Sequence, residues 1–350
     1  MKRDRFALHP AGGHHLHHFQ GFTQAKNPDA PETNEDRMVA IPNRLFAVID
    51  GATDISGIRY DDRLGQGATG GYLAAQAVAE ALASAAAGPF SSLPDPGVLV
   101  GQLNAAIGAT YERLQIPHDD IESGRARFRA AFSAAMVAGN MVRLVALGDC
   151  TIRVNGAAVL EHHFPGDTVL AKARSVAWSI LLEKGLTPDQ ARPIARQSIV
   201  QGPASKSAPP EPLTPADMSV VVERVRSDSL VLEACAGDLA LVDFILSAGL
   251  EGIRADPEGF RAAALDGVSD TSGSVRVLDL PLESIDTLEL ATDGYPAQPA
   301  ATSIAAWEDA LSEADRIDPD RIGPHASTKG RVGKNFGDDR SILIISARNT

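Results

Sequence analysis

The sequence predicts an α+β fold built on antiparallel strands, and three stretches carry the prediction. Residues 132–160, FSAAMVAGNMVRLVALGDCTIRVNGAAVL, place short apolar runs on either side of Gly139-Asn140 and of Asn155-Gly156. Both dipeptides tolerate the positive φ that two-residue hairpin turns require, so the stretch reads as an antiparallel meander. Regular alternation of parallel strands and helices is thereby disfavoured. Residues 45–49, LFAVI, are a continuous apolar run ending at Asp50-Gly51, the pattern of a buried strand. No short partner strand follows; a polar, glycine-rich loop leads instead to YLAAQAVAEALASAAAG (72–88), with helical spacing and a glycine stop.

The remaining elements follow in order. Helices are expected at about 97–115, across 168–198 and near 302–314. Within the second of these, TPDQAR (187–192) is a helix start, with Thr187 as cap and Pro188 in the first turn. The stretch GPASKSAPPEPLTPAD (202–217) reads as a linker or exposed loop. After it, strand-like MSVVVERV (218–225) and helical LALVDFILSAGL (239–250) read as an insertion at about 205–275. DTLELATDGY (286–295) and GDDRSILIIS (337–346) are further strands, one ending and one beginning in acids. Residues 1–20, with His9, His14, His15, His17 and His18, read as a flexible tail with at most loose metal affinity. Residues 21–350 are expected to form one domain.

Composition narrows the function. A net charge of −13 argues against a nucleic-acid partner, which calls for a basic face. No apolar run approaches the ~20 residues of a membrane span, and the first residues lack the apolar centre of a signal peptide. A cytoplasmic protein that engages neither nucleic acid nor membrane is the expectation. Its two cysteines, Cys150 and Cys235, imply core packing rather than a disulfide framework or a cysteine nucleophile. The sequence sets no oligomeric state.

The acids are the informative feature. Asp50-Gly51, Gly148-Asp149 and Asp293-Gly294 each end an apolar strand, Asp338-Asp339 precede one, and Glu35-Asp36 lie just before another. A single Asp-Gly is most often a turn. Acids recurring at strand ends, from segments far apart in the chain, suit hard divalent cations that take oxygen ligands.

In that order, NEDR (34–37), LFAVIDGATD (45–54), LVALGDC (144–150), LELATDGY (288–295) and GDDRSILII (337–345) resemble the type-2C metal-dependent protein serine/threonine phosphatases. HFPGDTVLAKARSVAWSILLEKGLTPDQAR (163–192) is similar to the family's helical stretch after the Gly-Asp motif. The resemblance implies a four-layer α-β-β-α sandwich, two antiparallel sheets flanked by helices, with a metal site at one edge. It implies two Mg²⁺ or Mn²⁺ ions, and a weaker third. Asp50 would bridge the pair, with the Gly51 carbonyl on one ion and Asp293 and Asp338 on the other. Glu35 and Asp36 would hold water from behind, Asp149 would serve the third ion, and Asp339 stands where the family usually has Asn. The implied chemistry is attack of an acidified water on phosphoserine or phosphothreonine in a protein substrate.

The match has gaps. The family's phosphate-gripping arginine is Pro31 here, leaving Arg37, Arg59 and Arg63 as candidate substitutes. Ala52 replaces a histidine that could donate a proton, and Cys150-Thr151 replaces Ser-Arg. An inactive relative that binds a signalling partner, or a phosphatase for small metabolites, would tolerate these losses.

Overall fold

The computed structural model describes residues 6–7, 16, 18–53, 56–62, 65–256 and 263–347. Strands β1 (Phe6–Ala7), β2 (His18–Gln24), β3 (Arg37–Ile41) and β4 (Leu45–Gly51) come first, then a small hairpin, β5 (Tyr60–Asp62) and β6 (Gly65–Ala68). Helices α1 (Gly70–Ala85), α2 (Pro96–Leu114) and α3 (His118–Glu122) lead to the meander β7 (Ala130–Ala138), β8 (Met141–Leu147), β9 (Thr151–Val154) and β10 (Ala157–Leu160). Five helices follow: α4 (Pro165–Glu183), α5 (Pro188–Ser198), α6 (Pro215–Arg226), α7 (Ser229–Ala234) and α8 (Leu239–Ala255). The chain closes with β11 (Arg276–Pro281), β12 (Thr287–Ala291), α9 (Ile304–Ile317) and β13 (Arg340–Ser346).

The larger strands form two sheets, of order β1-β2-β13-β12-β9-β10 and β11-β8-β7-β4-β3, with antiparallel pairing throughout. Side chains alternate across a strand, and β4 shows why its apolar run is unbroken. Phe46 and Val48 point into the gap between the sheets, against Leu288, Leu290 and Leu343. Ala47 and Ile49 point outward and are covered by Leu73 and Val78 of α1 and Leu103 of α2. On the far side, Phe22, Ala291 and Ile342 are covered by Trp307 and Leu311 of α9. The result is the four-layer α-β-β-α sandwich. Cys150 is a free buried thiol in the layer between the sheets.

Helices α4 to α8 share a separate core of Leu170, Trp178, Val221, Val242 and Ile245; buried Cys235 belongs to it. Residues 218–225 are helical here, not the expected strand. The deciding signal is local: the Thr214 hydroxyl caps the Asp217 N–H, and the Asp217 carboxylate accepts from the Thr214 N–H at 2.7 Å. This reciprocal cap starts a helix, and Met218, Val221 and Val225 then fall on one buried face. The start expected at Thr187 has the same construction, with Gln190 as the reciprocal partner. In the stretch read as a tail, Phe6 and Ala7 pair with β2 and Leu16 is fully buried, while His18 begins β2. His9, His14, His15 and His17 lie outside the described residues.

Candidate metal centre

The strand registers bring the acids together. In one sheet, Gly51 pairs with Ala130 and Leu147 with Phe132, so the end of β4, the start of β7 and the end of β8 share an edge. In the other, Ala291 pairs with both Thr151 and Ile342, and Arg340 pairs with Gln24. Asp149 spans the two sheets at this edge, Asp293 lies two residues beyond β12, and Asp338 and Asp339 lie just before β13. The tight approach at Asp149 requires glycine before it. Gly148 has φ +89, and a Cβ there would run into Ala131.

Asp50, Asp149 and Asp293 each place a carboxylate oxygen within 4.8 Å of the other two. No described residue donates a side-chain or loop hydrogen bond to these three carboxylates, apart from the N–H of Asp149 to its own side chain. Burial pushes the Asp50 carboxyl well up, and the charges of Asp293, Asp36 and Asp149 push it further. Asp293 keeps an exposed surface in the cleft, and partial loss of water together with the charges of Asp338 and Asp149 pushes its carboxyl the same way. Acids raised by one another's charge are either protonated or neutralised by a cation. Behind them, buried Asp36 accepts from the Thr292 hydroxyl at 2.8 Å through Oδ2, while Oδ1 has no partner. Its carboxyl is pushed up to about 7 by burial, then by the charge of Asp339. Gly51 packs so closely that a Cβ would meet the Gly71 carbonyl, and the Glu35 carbonyl at 2.8 Å. An oxygen-only donor set and an orphaned buried carboxylate oxygen suit a hard divalent cation.

The other expected ligands are placed differently. Asp338 pairs with the Lys329 ammonium and stands outside the group of three. Asp339 accepts from the Lys26 N–H at 2.5 Å and the Glu35 N–H at 3.0 Å. Glu35 accepts from Lys26 Nζ at 2.6 Å and from the Thr69 hydroxyl at 2.5 Å. Burial works against the Lys26 ammonium, but the charges of Glu35, Asp339 and Asp338 outweigh it and hold its pKa above the ordinary value.

Of the arginines singled out from sequence, neither Arg37 nor Arg59 lines the cleft. Arg37 donates to Gln76 at 2.7 Å and to the Asp36 carbonyl at 2.7 Å, and lies 4.0 Å over the Tyr72 ring. Those contacts tie it to α1 and the β3 entrance. Arg59 is exposed and donates to the Ile58 carbonyl at 3.0 Å. Arg63 lies outside the described residues.

A cleft of about 880 Å³ opens over the acids, and its cations come from segments that sequence reading passed over. Arg129 donates to the Ile253 carbonyl at 2.6 Å and leaves its buried Nε without a partner. Arg254 donates to the Thr53 carbonyl at 2.8 Å, and Arg196 to the Thr328 carbonyl at 2.8 Å. Arg196 and Arg254 stand on α5 and α8, so the helical layer forms one wall of the cleft. A lone arginine or lysine on a helix or loop carries no sequence signal of the site it faces.

No protein-family model and no curated protein matches this sequence. Solved structures that match along nearly the whole chain are bacterial serine/threonine phosphatases. The PstP/Ppp phosphatase of Mycobacterium tuberculosis is 16% identical over 95% of this chain and 98% of its own, with a TM-score of 0.41. The PstP catalytic domain in complex with two manganese ions is 15% identical over 94% and 96%, with a TM-score of 0.37. The chain is similar in the same way to the phosphatase Stp1 of Staphylococcus aureus, at 12% identity over 95% of each chain and a TM-score of 0.44.

Proposed function

We propose that this chain is a divalent-metal-dependent phosphatase acting on phosphoserine or phosphothreonine in proteins, with Mg²⁺ or Mn²⁺ as the metal. One observation carries the reading. Three carboxylates without donors from the described side chains converge at the floor of a cleft that also holds arginines. The ordered motifs of the sequence support it.

Asp50, Asp149 and Asp293 would hold the metal. When bound, a divalent ion supplies a more acidic water and Lewis-acid polarisation of phosphoryl oxygens. The protein supplies placement. Asp50 is fixed at the end of β4 by its pairing with Ala131 of β7, and Asp149 by the tight turn after β8. Arg129, Arg196 and Arg254 take the place of the missing arginine in neutralising a phosphate. Helices α6–α8, in the segment read as an insertion, would give a protein substrate a wider surface than a small ester needs.

A second reading has its own observation. Lys26 and Lys329 already satisfy Glu35, Asp338 and Asp339, as in a partner-binding module without turnover. Assay with Mn²⁺ against p-nitrophenyl phosphate and a phosphothreonine peptide separates these readings. Turnover of both, abolished by EDTA and restored by Mn²⁺, is expected. Turnover of the small ester alone would favour a metabolite phosphatase, and turnover of neither would leave the binding module.

A further inference from the structure

We propose that this chain carries one divalent cation, held by Asp50, Asp149 and Asp293, and that the ammonium groups of Lys26 and Lys329 supply the positive charge that a second ion would bring. The proposal rests on the metal-dependent reading above and departs from the two-ion site that the sequence resemblance implies. Its basis is an account of carboxylate oxygens. Glu35 has both committed, Oε1 to the Thr69 hydroxyl and Oε2 to Lys26 Nζ. Asp339 has both committed, Oδ1 to the Lys26 N–H, and Oδ2 to the Glu35 N–H with Lys26 Nζ at 3.5 Å. Asp338 has both committed, Oδ1 to the Asp339 N–H at 3.1 Å and Oδ2 to Lys329 Nζ. No described ammonium, guanidinium or hydroxyl donates to Asp50, Asp149 or Asp293, and these three converge within 4.8 Å.

The lysines are built into the site, not draped over it. Both ammoniums donate to one hydroxyl, Thr53 Oγ1, from Lys26 at 3.2 Å and from Lys329 at 3.1 Å. Two like charges share a hydroxyl only where surrounding acids outweigh their repulsion. Each ammonium also lies directly on a carboxylate, Lys26 on Glu35 and Lys329 on Asp338. An incoming second ion would have to displace an ammonium from Asp338 or from Glu35. That displacement leaves a cation crowded against another cation. Among the described residues no ammonium donates to the three acids of the first ion, and Asp36, whose buried Oδ1 has no partner, adds its charge to Asp50.

The test is stoichiometry, which does not depend on turnover. Full-length protein is titrated with Mn²⁺ by calorimetry, and the bound ion is followed by electron paramagnetic resonance. Wild type is expected to take one tight ion per chain with the six-line signature of an isolated Mn²⁺. Lys329→Met, which frees Asp338, is expected to take two, with the broadened spectrum of a spin-coupled pair; Lys26→Met, which frees Glu35, is a second route to the same result. Two coupled ions in wild type would overturn the proposal and leave the phosphatase reading standing. One ion in wild type and in both folded variants would overturn the role given to the lysines. One ion with no phosphatase turnover would uphold the proposal and sink the enzymatic reading, and no bound ion would sink both.

Discussion

Asp50→Asn is expected to lower Mn²⁺-dependent hydrolysis of p-nitrophenyl phosphate by about 10³-fold, the scale on which loss of one preorganised electrostatic group acts. The amide keeps the shape of the carboxylate and loses the charge that holds a cation. Stability should move the other way. In the metal-free protein the Asp50 carboxyl is pushed up by burial and by Asp293, Asp36 and Asp149, so charge at this position opposes folding. The variant should therefore melt no lower than wild type without metal, and lose the stabilisation that Mn²⁺ gives. Wild-type turnover in this variant would show that the chemistry lies elsewhere. A collapsed melting temperature would show Asp50 to be a structural residue.

Mn²⁺ is expected to raise the melting temperature far more at pH 8 than at pH 5.5. Asp36, pushed up to about 7 by burial and by Asp339, gains a proton on folding at any pH between the ordinary carboxylate value and 7. A group that binds its proton more tightly when folded makes stability fall as pH rises across that window. Asp50, Asp149 and Asp293 are raised in the same direction. Metal-free protein should accordingly lose stability from this site between pH 5 and 7. A divalent ion competes with those protons, so its contribution grows with pH. At a free concentration 100 times its dissociation constant, it contributes about 2.7 kcal/mol. A Mn²⁺ shift that is equal at both pH values would separate the metal from these carboxylates.

Much of the sandwich was legible because its signals are local. Asn155-Gly156 and Gly139-Asn140 mark turns by what they tolerate at positive φ, and both sit between paired strands. The unbroken run Leu45–Ile49 marks a strand covered on both faces. Residues 218–225 read as strand because Val220, Val221 and Val222 favour strands in isolation, whereas the helix is set by the Thr214–Asp217 cap just before them, outside the valine run. In the site, Asp50, Asp149 and Asp293 could be found because each ends a strand. Their grouping without Asp338 could not, since it depends on Lys329, which comes from a loop with no periodicity. Arg129, Arg196 and Arg254 escaped notice for the same reason: each reaches the cleft through tertiary packing, and nothing in the flanking residues marks them.

Crystals grown with Mn²⁺ and measured at the manganese absorption edge test the central claim most directly. The anomalous difference map should show a peak bounded by the carboxylates of Asp50, Asp149 and Asp293. Anomalous density confined to another part of the surface, with those three carboxylates free of metal, would contradict it.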